Sequence, residues 1–242
     1  MEKAKTYYTK INTCFKRDMD KASKTYNCII PDQLTTPEFE LFREMNIKWE
    51  CTEKIDGECT SIHLIPKDGD YVVEVHGKTS NAQMRVDEVE LLQSLGTKEN
   101  LLKAFSQVAE DGTVKTPDVE CIIFGETYGK KMQKAGSRYC ADKLKFICFD
   151  VKVGETWLKR EAVVEICEKA GIDVVPYFGY MTLDEAIQYV DAGFKSVVSE
   201  DRTLEAEGLV LRAPLGLLDR MGRRIITKIK TKDFRDLEAK LK

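Results

Sequence analysis

The sequence predicts an α+β fold in which antiparallel sheets are flanked by helices. Short runs rich in Ile, Val and Phe recur along the chain, as strands do. Two of these runs are joined by a turn, so they are expected to pair as a hairpin. Between the strands lie stretches in which apolar residues recur with the period of a helix.

The first predicted elements are a hairpin and a long helix. Residues 61–65 and 71–75 have strand composition and are joined through a turn-forming segment at 66–70. From 86 to 109 the pattern is helical, and Gly112 follows as a stop signal. The apolar residues on one stripe are Leu101, Leu102, Phe105 and Val108. We therefore expect one continuous helix after the hairpin.

The second half of the chain alternates further strands with two helices. One helix spans 160–170 and is ended by Gly171, and the other opens at Thr182, where Thr182 and Glu185 have the spacing of a capping box. The predicted strands are 119–124, 144–151, 208–212 and 224–230. We expect these strands to carry the ligand-binding segments.

Length and charge indicate one domain with no global preference for nucleic acid. The 242 residues are 43% hydrophobic and 33% charged, which suffices to bury a full core, and no repeat or flexible linker interrupts them. The formal net charge is only -3, so any nucleic-acid site must come from local basic clusters. We expect a single domain spanning residues 1–242.

The cysteines favour reduced thiols in a cytoplasmic protein. None of the eight belongs to a C-x-x-C pair and only His63 and His76 accompany them, so a zinc site or a disulfide framework has little support. Several, such as Cys148, lie inside apolar runs. The N-terminus lacks an apolar signal region and no run is long enough to span a membrane, so we expect a soluble, intracellular protein.

The candidate chemistry centres on Lys54, in the segment Glu53-Lys54-Ile55-Asp56-Gly57. A lysine amine is protonated at neutral pH, so it becomes a nucleophile only where neighbouring cations or a metal lower its pKa. Gly57 lets the backbone approach a phosphate closely, and Asp56 is suited to contact a ribose or to orient the lysine. By itself, however, the pattern Lys-x-Asp-Gly also fits an ordinary surface turn.

Five further segments follow Lys54, namely His-Gly-Lys-Thr at 76–79, Phe-Gly-Glu-Thr-Tyr-Gly at 124–129, Phe-Ile-Cys-Phe-Asp at 146–150, Glu-Gly-Leu-Val-Leu-Arg at 207–212 and Lys-Ile-Lys at 228–230. In this order they resemble the motifs of the lysine nucleotidyltransferases, the superfamily of ATP-dependent ligases and messenger RNA capping enzymes. The chain is most similar to the RNA ligase 2 class of bacteriophages and RNA-editing systems, along nearly its whole length. Segments 129–134, 206–208 and 228–234 carry this closer likeness.

The resemblance implies an adenylyltransferase domain of the nucleotidyltransferase fold, which is ATP-grasp-like, and an ATP-dependent RNA ligase. Its substrates would be ATP and the 5'-phosphate and 3'-hydroxyl ends of RNA, free or in a nicked duplex, with Mg²⁺ or Mn²⁺ as the cation. We expect no C-terminal OB-fold or helical domain of the kind that most relatives carry. A small DNA ligase, a capping-type guanylyltransferase and a catalytically inactive nucleotide- or RNA-binding module remain alternatives, and the oligomeric state stays open.

Strand alternation gives the last segment a physical role. It places Ile226, Lys228 and Lys230 on one face, so the two lysines point together. Aimed at an α-phosphate, they would offset the charge that builds during transfer and would help to keep Lys54 neutral. A solvated basic edge strand is the plainer alternative.

The aromatic segment has the same alternation. It places Phe146, Cys148 and Asp150 on one face and Ile147, Phe149 and Val151 on the other. One phenylalanine can then line a pocket while the other packs in the core, and core positions for both rings are the plainer alternative. By resemblance, Phe146 stacks on the nucleotide base.

Glu126 and Glu207 each stand beside a glycine at one end of a predicted strand, where a carboxylate can reach a ligand. By resemblance, Glu126 contacts the ribose and Glu207 helps to hold a divalent cation. Magnesium suits a site of one or two carboxylates with phosphate oxygens. The resemblance also assigns Glu53, Ile55, Asp56, Lys78, Lys228 and Lys230 to the nucleotide site.

Three positions depart from the RNA ligase 2 pattern, since Asp56, Cys59 and Lys78 replace a histidine, an asparagine and an arginine respectively. A thiol cannot replace an amide in a water or metal network. Lysine keeps the charge of arginine but loses its bidentate grip on phosphate. We therefore expect 5'-phosphate recognition to be weaker or differently arranged.

Overall fold

A computed structural model describes residues 5–242. Within these residues the chain forms fourteen strands and seven α-helices. The strands are β1 (Phe15–Arg17), β2 (Ile29–Leu34), β3 (Trp49–Lys54), β4 (Glu58–Lys67), β5 (Asp70–Gly77), β6 (Gln107–Val108), β7 (Val114–Lys115), β8 (Cys121–Gly129), β9 (Leu144–Val153), β10 (Thr156–Trp157), β11 (Asp173–Val174), β12 (Tyr177–Met181), β13 (Gly208–Arg212) and β14 (Ile226–Lys230). The helices are α1 (Pro37–Glu44), α2 (Val86–Leu95), α3 (Lys98–Phe105), α4 (Gly136–Tyr139), α5 (Arg160–Ala170), α6 (Leu183–Ala192) and α7 (Thr231–Leu241). The predicted α+β class with antiparallel sheets is confirmed.

The chain divides into two compact units, and the first comprises the described part of Met1–Thr9 together with Asp56–Val175. Its main sheet has the strand order β10-β9-β8-β4-β5, with β11 parallel to β9. The predicted hairpin is confirmed as β4 and β5, which turn at Asp68 and Gly69, both with positive φ. Helices α2, α3 and α5 contribute apolar side chains to the core of this unit.

The single helix predicted over 86–109 is wrong, because the chain stops and restarts within it. Helix α2 ends at Gly96, where an added Cβ would lie 2.4 Å from Ile62 Cγ2, so only glycine allows this close approach. Thr97 then caps α3 by accepting a hydrogen bond from the Asn100 N–H. Past Phe105 the chain is extended. The helices predicted at 160–170 and from Thr182 are confirmed, including the left-handed Gly171 and the capping box.

The alternation predicted for β9 is wrong beyond Cys148. Asp150 pairs with Phe124 and Cys148 pairs with Gly125, so three residues of β9 oppose two of β8 and the strand bulges. The extra residue reverses the faces, and Val151 rather than Asp150 joins Phe146 and Cys148 in the core. The Asp150 carboxylate instead accepts a hydrogen bond from the Tyr8 hydroxyl, at 2.6 Å.

The second unit comprises Lys10–Ile55 and Pro176–Lys242. Its four-stranded sheet has the order β12-β3-β13-β14, and β1 and β2 form a separate antiparallel pair. One face of the sheet packs on the core through Trp49, Cys51, Leu209 and Ile229, against helices α1, α6 and α7. The opposite face carries Lys54.

Two further observations concern membrane and metal chemistry. No helix within the described residues is long and apolar enough to cross a bilayer. No disulfide links the eight cysteines, all of which lie in residues 5–242, and that same stretch holds no group of three or more His, Cys, Asp or Glu side chains placed to bind a metal.

Candidate active site

In the second unit, one carboxylate bridges two lysines that are far apart in sequence. Strand β13 pairs with β3 on one side and with β14 on the other, and Gly208 lies opposite both Lys54 and Lys230. Glu207 immediately precedes Gly208. Its Oε2 lies 2.6 Å from Lys54 Nζ and its Oε1 lies 2.5 Å from Lys230 Nζ. Sheet register therefore brings the predicted nucleophile and the predicted metal ligand into direct contact.

The backbone around Glu207 is held on both sides. Gly208 has φ of +146°, and an added Cβ would lie 1.9 Å from the Ile229 carbonyl oxygen, so no other residue fits there without displacing β14. The Thr231 N–H donates to the Glu207 carbonyl, at 3.0 Å, and the Thr231 hydroxyl donates to the Ala206 carbonyl, also at 3.0 Å. These bonds tie the start of β13 to the start of α7.

Lys228 lies two residues before Lys230 on the same face of β14, while Thr227 and Ile229 are fully buried on the other. The predicted pairing of the two lysines on one face is confirmed. The outer side of β14 is partly covered, since the Lys228 N–H donates to the Asn12 carbonyl at 3.2 Å. Burial, followed by the charges of Lys230 and Lys54, lowers the pKa of Lys228 to about 8.

The Glu53 side chain is directed away from Lys54, because neighbouring residues of a strand face opposite sides. It is 1% exposed. Its Oε1 accepts a hydrogen bond from the Ser196 hydroxyl at 2.5 Å, and its Oε2 accepts one from the Val197 N–H at 3.1 Å. Burial raises the pKa of Glu53, and the two hydrogen bonds oppose that rise. The carboxylate thus fastens the segment after α6, and its predicted nucleotide contact, like that of the buried Ile55, stays a prediction.

The first unit holds Asp56, Lys78, Glu126 and Phe146. The Asp56 N–H donates to the Tyr139 hydroxyl at 3.4 Å. Glu126 lies within β8 rather than at the end of a strand, because β8 continues past the point opposite the β9 bulge to Gly129; that part of the prediction is wrong. The Glu126 side chain packs close to Gly57, in the loop that precedes β4.

Gly57 permits this packing, because a Cβ there would lie 2.8 Å from Glu126 Cγ and 2.2 Å from the Thr127 carbonyl oxygen. Close packing within the protein therefore requires glycine at position 57, independently of any approach of the backbone to a phosphate. Phe146 is 4% exposed and lies in the core cluster, with its ring edge against Gly125.

Lys78 lines a cavity of about 210 Å³ together with Cys59 and Glu88. Sequence analysis did not single out Glu88, which is fully buried. Its Oε2 accepts a hydrogen bond from the Arg85 N–H at 3.4 Å, while Oε1 has no hydrogen-bond partner among the described residues. Burial raises the pKa of this carboxyl group. The only sequence signal was its position in the first turn of α2.

A family model described as RNA ligase matches residues 47–230. No curated protein matches the chain in sequence. Among solved structures, a lysine-to-alanine variant of Naegleria gruberi RNA ligase with ATP and Mn has a TM-score of 0.59 and 16% identity, covering 85% of this chain and 54% of that chain. A glutamate-to-alanine variant with ATP and Mn has a TM-score of 0.59 and 15% identity, covering 94% and 57%.

A third match is a lysine-to-methionine variant of the same Naegleria gruberi protein with AMP and Mn, with a TM-score of 0.57 and 16% identity, covering 84% of this chain and 54% of that chain. The chain therefore spans about half the length of the solved structures that it matches. At these identities the likeness shows a shared fold.

Proposed function

The chain belongs to the RNA ligase family, and we propose that it is an ATP-dependent RNA ligase that forms a covalent lysyl-AMP intermediate on Lys54. One observation carries the proposal. Glu207 holds the amine of Lys54 beside that of Lys230, with Lys228 on the same sheet face. A nucleophilic amine among cationic side chains is suited to attack a phosphorus atom whose oxygens are negatively charged.

In the proposed first step, Lys54 Nζ attacks the α-phosphorus of ATP. A phosphorus–nitrogen bond forms, the bond between the α-phosphorus and its bridging oxygen breaks, and pyrophosphate leaves. Lys228 and Lys230 offset the negative charge that builds on the α-phosphate. The amine must be neutral to attack; the charges of Lys228 and Lys230 favour the neutral form, whereas the Glu207 carboxylate favours the ammonium.

The remaining proposed steps use the RNA ends. An oxygen of the RNA 5'-phosphate attacks the phosphorus of lysyl-AMP, which returns the amine of Lys54 and gives an adenylylated 5' end. The RNA 3'-hydroxyl then attacks the 5'-phosphorus, so that AMP leaves and a phosphodiester forms.

Glu207 fits a divalent cation of the kind present in the Naegleria structures. Magnesium and its analogues are usually held by one or two carboxylates together with substrate phosphates, and Glu207 supplies one such carboxylate beside the proposed α-phosphate position. When bound, the cation would neutralise phosphate charge and weaken the hold of Glu207 on the Lys54 ammonium.

The residues of the first unit have proposed roles that rest on the family resemblance. Glu126 contacts the ribose, Phe146 meets the base, and Lys78 meets phosphate. Glu53, Ile55 and Asp56 flank the nucleophile at the nucleotide site. A cytoplasmic location is also part of the proposal.

Incubation with α-labelled ATP and Mg²⁺ tests the proposed function. We expect the label to become covalently attached to the protein and to pass to RNA that has a 5'-phosphate. A parallel incubation with labelled GTP tests the capping-type alternative, and nicked substrates with RNA or DNA on the 3'-hydroxyl side test the DNA ligase alternative. A protein that acquires no label from any nucleotide would contradict the proposal.

Glu207→Gln is expected to slow label attachment by at least on the order of a hundredfold. Loss of a group that only orients a metal ligand costs up to about that much, and Glu207 is proposed to bind the metal directly. Glutamine keeps the shape of the side chain but loses the charge that binds Lys54, Lys230 and the cation. We expect excess Mn²⁺ to restore part of the rate. Label attachment at the wild-type rate across all metal concentrations would remove Glu207 from the mechanism.

The pH profile tests the role of Lys228. Because its pKa is lowered to about 8, its charge is lost as the pH rises through that value. At low ATP concentration, the labelling rate should therefore contain a factor that falls by about tenfold for each pH unit above 8, set against any rise as Lys54 loses its own proton. Lys228→Arg keeps the charge throughout and should move this fall to higher pH. If the labelling rate of the arginine variant fell at the same alkaline pH as that of the wild type, the fall would be due to a group other than Lys228.

A further inference from the structure

Two exposed tyrosines lie on the same sheet face as Lys54. Strand β12 is the outer neighbour of β3, and its Tyr177 and Tyr180 are 43% and 54% exposed. Their rings meet edge to face with centroids 6.0 Å apart. The other large side chains of this strand, Phe178 and Met181, pack against the core of the second unit. The two tyrosines therefore do not belong to the core, and their rings are exposed to solvent.

A bulge brings both tyrosines to one face. Residues three apart on a regular strand point to opposite sides. Here Tyr177 pairs with Thr52 and Tyr180 pairs with Glu50, so β12 has one residue more than β3 between the two pairs. Gly179, with φ of +84°, takes up the extra residue in a conformation that other residues rarely adopt. Bulges of this kind commonly re-aim side chains near functional sites.

The register also fixes the distance from the tyrosines to the nucleophile. Thr52 is two residues from Lys54 on β3 and directly beside Tyr177 on β12. With the usual spacings within and between strands, the Cα atoms of Tyr177 and Lys54 lie about 8 Å apart. The aromatic pair is therefore next to the proposed position of the reacting phosphate.

The same face has the charge that a polynucleotide needs. Four cationic side chains, Lys54, Lys228, Lys230 and Arg212, share it with the carboxylates of Glu50 and Glu207. Arg212 pairs with Glu50, whose other neighbour is Tyr180, so the arginine lies in the same row of the sheet as Tyr180. Its Nη1 donates to Thr52 Oγ1 at 3.2 Å. A cationic track beside exposed aromatic rings is the usual composition of a surface that binds single-stranded nucleic acid, with phosphates on the cations and bases on the rings.

We propose that Tyr177 and Tyr180 form a stacking platform for the unpaired bases of an RNA strand close to its reacting end. The inference rests on the proposed function, since it assumes that the lysine cluster handles a polynucleotide. It adds a binding subsite that reads no sequence, because every base presents a flat face to an aromatic ring. The strand would run past the two tyrosines towards Lys54 on this face of the sheet, with its phosphates beside the cationic side chains.

Binding of short single-stranded RNA, measured by fluorescence anisotropy without ATP, tests the platform. The probes are a 5'-phosphorylated RNA and an abasic ribose-phosphate chain of the same length and charge. We expect the double variant Tyr177→Ala/Tyr180→Ala to bind base-bearing RNA at least about tenfold more weakly than wild type, and to bind the abasic chain as wild type does. The double variant Tyr177→Phe/Tyr180→Phe keeps the rings and should retain nearly all of the affinity.

Matched controls separate stacking from loss of structure. Met45→Ala removes another exposed apolar side chain, at the end of α1, and should leave RNA affinity unchanged. If the double alanine variant proves unfolded by circular dichroism, the single variant Tyr180→Ala carries the test, with a smaller loss expected. Equal affinity of wild type and alanine variants for base-bearing RNA, an equal loss on the abasic chain, or no RNA binding by wild type would each overturn the platform. Labelling with ATP is measured separately, so its failure counts against the proposed function alone.

Discussion

Lys54→Ala is expected to reduce attachment of AMP to the protein to background. The variant lacks the one protein atom proposed to bond to the α-phosphorus, whereas Glu207, Lys228 and Lys230 remain in place. Lys54→Arg is the sharper change, because arginine keeps the positive charge beside Glu207 but stays protonated and cannot act as a nucleophile. Both variants should therefore fail equally in a labelling assay with α-labelled ATP.

A second substrate shows whether the rest of the site survives in these variants. RNA that already carries AMP on its 5'-phosphate needs no lysyl-AMP, so Lys54→Ala should still join it to a 3'-hydroxyl at a measurable rate. Loss of labelling with retention of this joining step assigns Lys54 to the first steps alone. Labelling of either variant at the wild-type level would remove Lys54 from the mechanism.

Gly208→Ala is expected to lower the free energy of unfolding by about 2 to 5 kcal/mol, from backbone strain and steric overlap together. The added methyl group would overlap the carbonyl of Ile229, which cannot turn away as a flexible side chain could. Since Gly208 pairs with both Lys54 and Lys230, the shift should also separate their amines from Glu207. Urea denaturation measures the stability, and ATP labelling of the folded variant measures the site.

Gly216→Ala is the matched control for this change. Gly216 also has positive φ, +66°, but nothing lies within 4 Å of an added Cβ. We expect this variant to lose only about 1 kcal/mol, from backbone strain, and to label normally. If the two variants lost equal stability, the contact with Ile229 would not be the reason for glycine at 208.

The sequence predicted those elements whose ends carry local signals. Helix α5 ends at Gly171 because a left-handed residue closes it, and α6 starts at Thr182 because its hydroxyl caps the first turn. The break between α2 and α3 had comparable signals in Gly96 and Thr97, and it was missed because the helical pattern continues across it.

Other elements had no such local signal. Strand β3 was not predicted, because the buried Glu53 interrupts the apolar side of its alternation and is accommodated only by hydrogen bonds from Ser196 and Val197. The bulges in β9 and β12 depend on pairing with neighbouring strands. Alternation along one strand therefore predicted the faces of Lys228 and Lys230 correctly and the face of Asp150 wrongly.

The candidate site was predicted as a set of residue types rather than as a geometry. Lys54 and Glu207 are 153 residues apart, and only the register of β3 on β13 places them in contact. Packing across three strands makes one carboxylate bridge two lysines. The same packing buries Lys228 and so lowers its pKa.

Mapping the site of nucleotide attachment tests the central claim most directly. Three lysine amines converge on this face, so loss of label in a Lys54 variant shows that Lys54 is required, whereas the position of AMP shows which amine is the acceptor. The wild-type protein is incubated with ATP and Mg²⁺, digested, and analysed by mass spectrometry with fragmentation that preserves phosphoramidates. We predict AMP on Lys54 and on neither Lys228 nor Lys230; AMP on either of those residues, or no adduct, would contradict the assignment of Lys54 as the nucleophile.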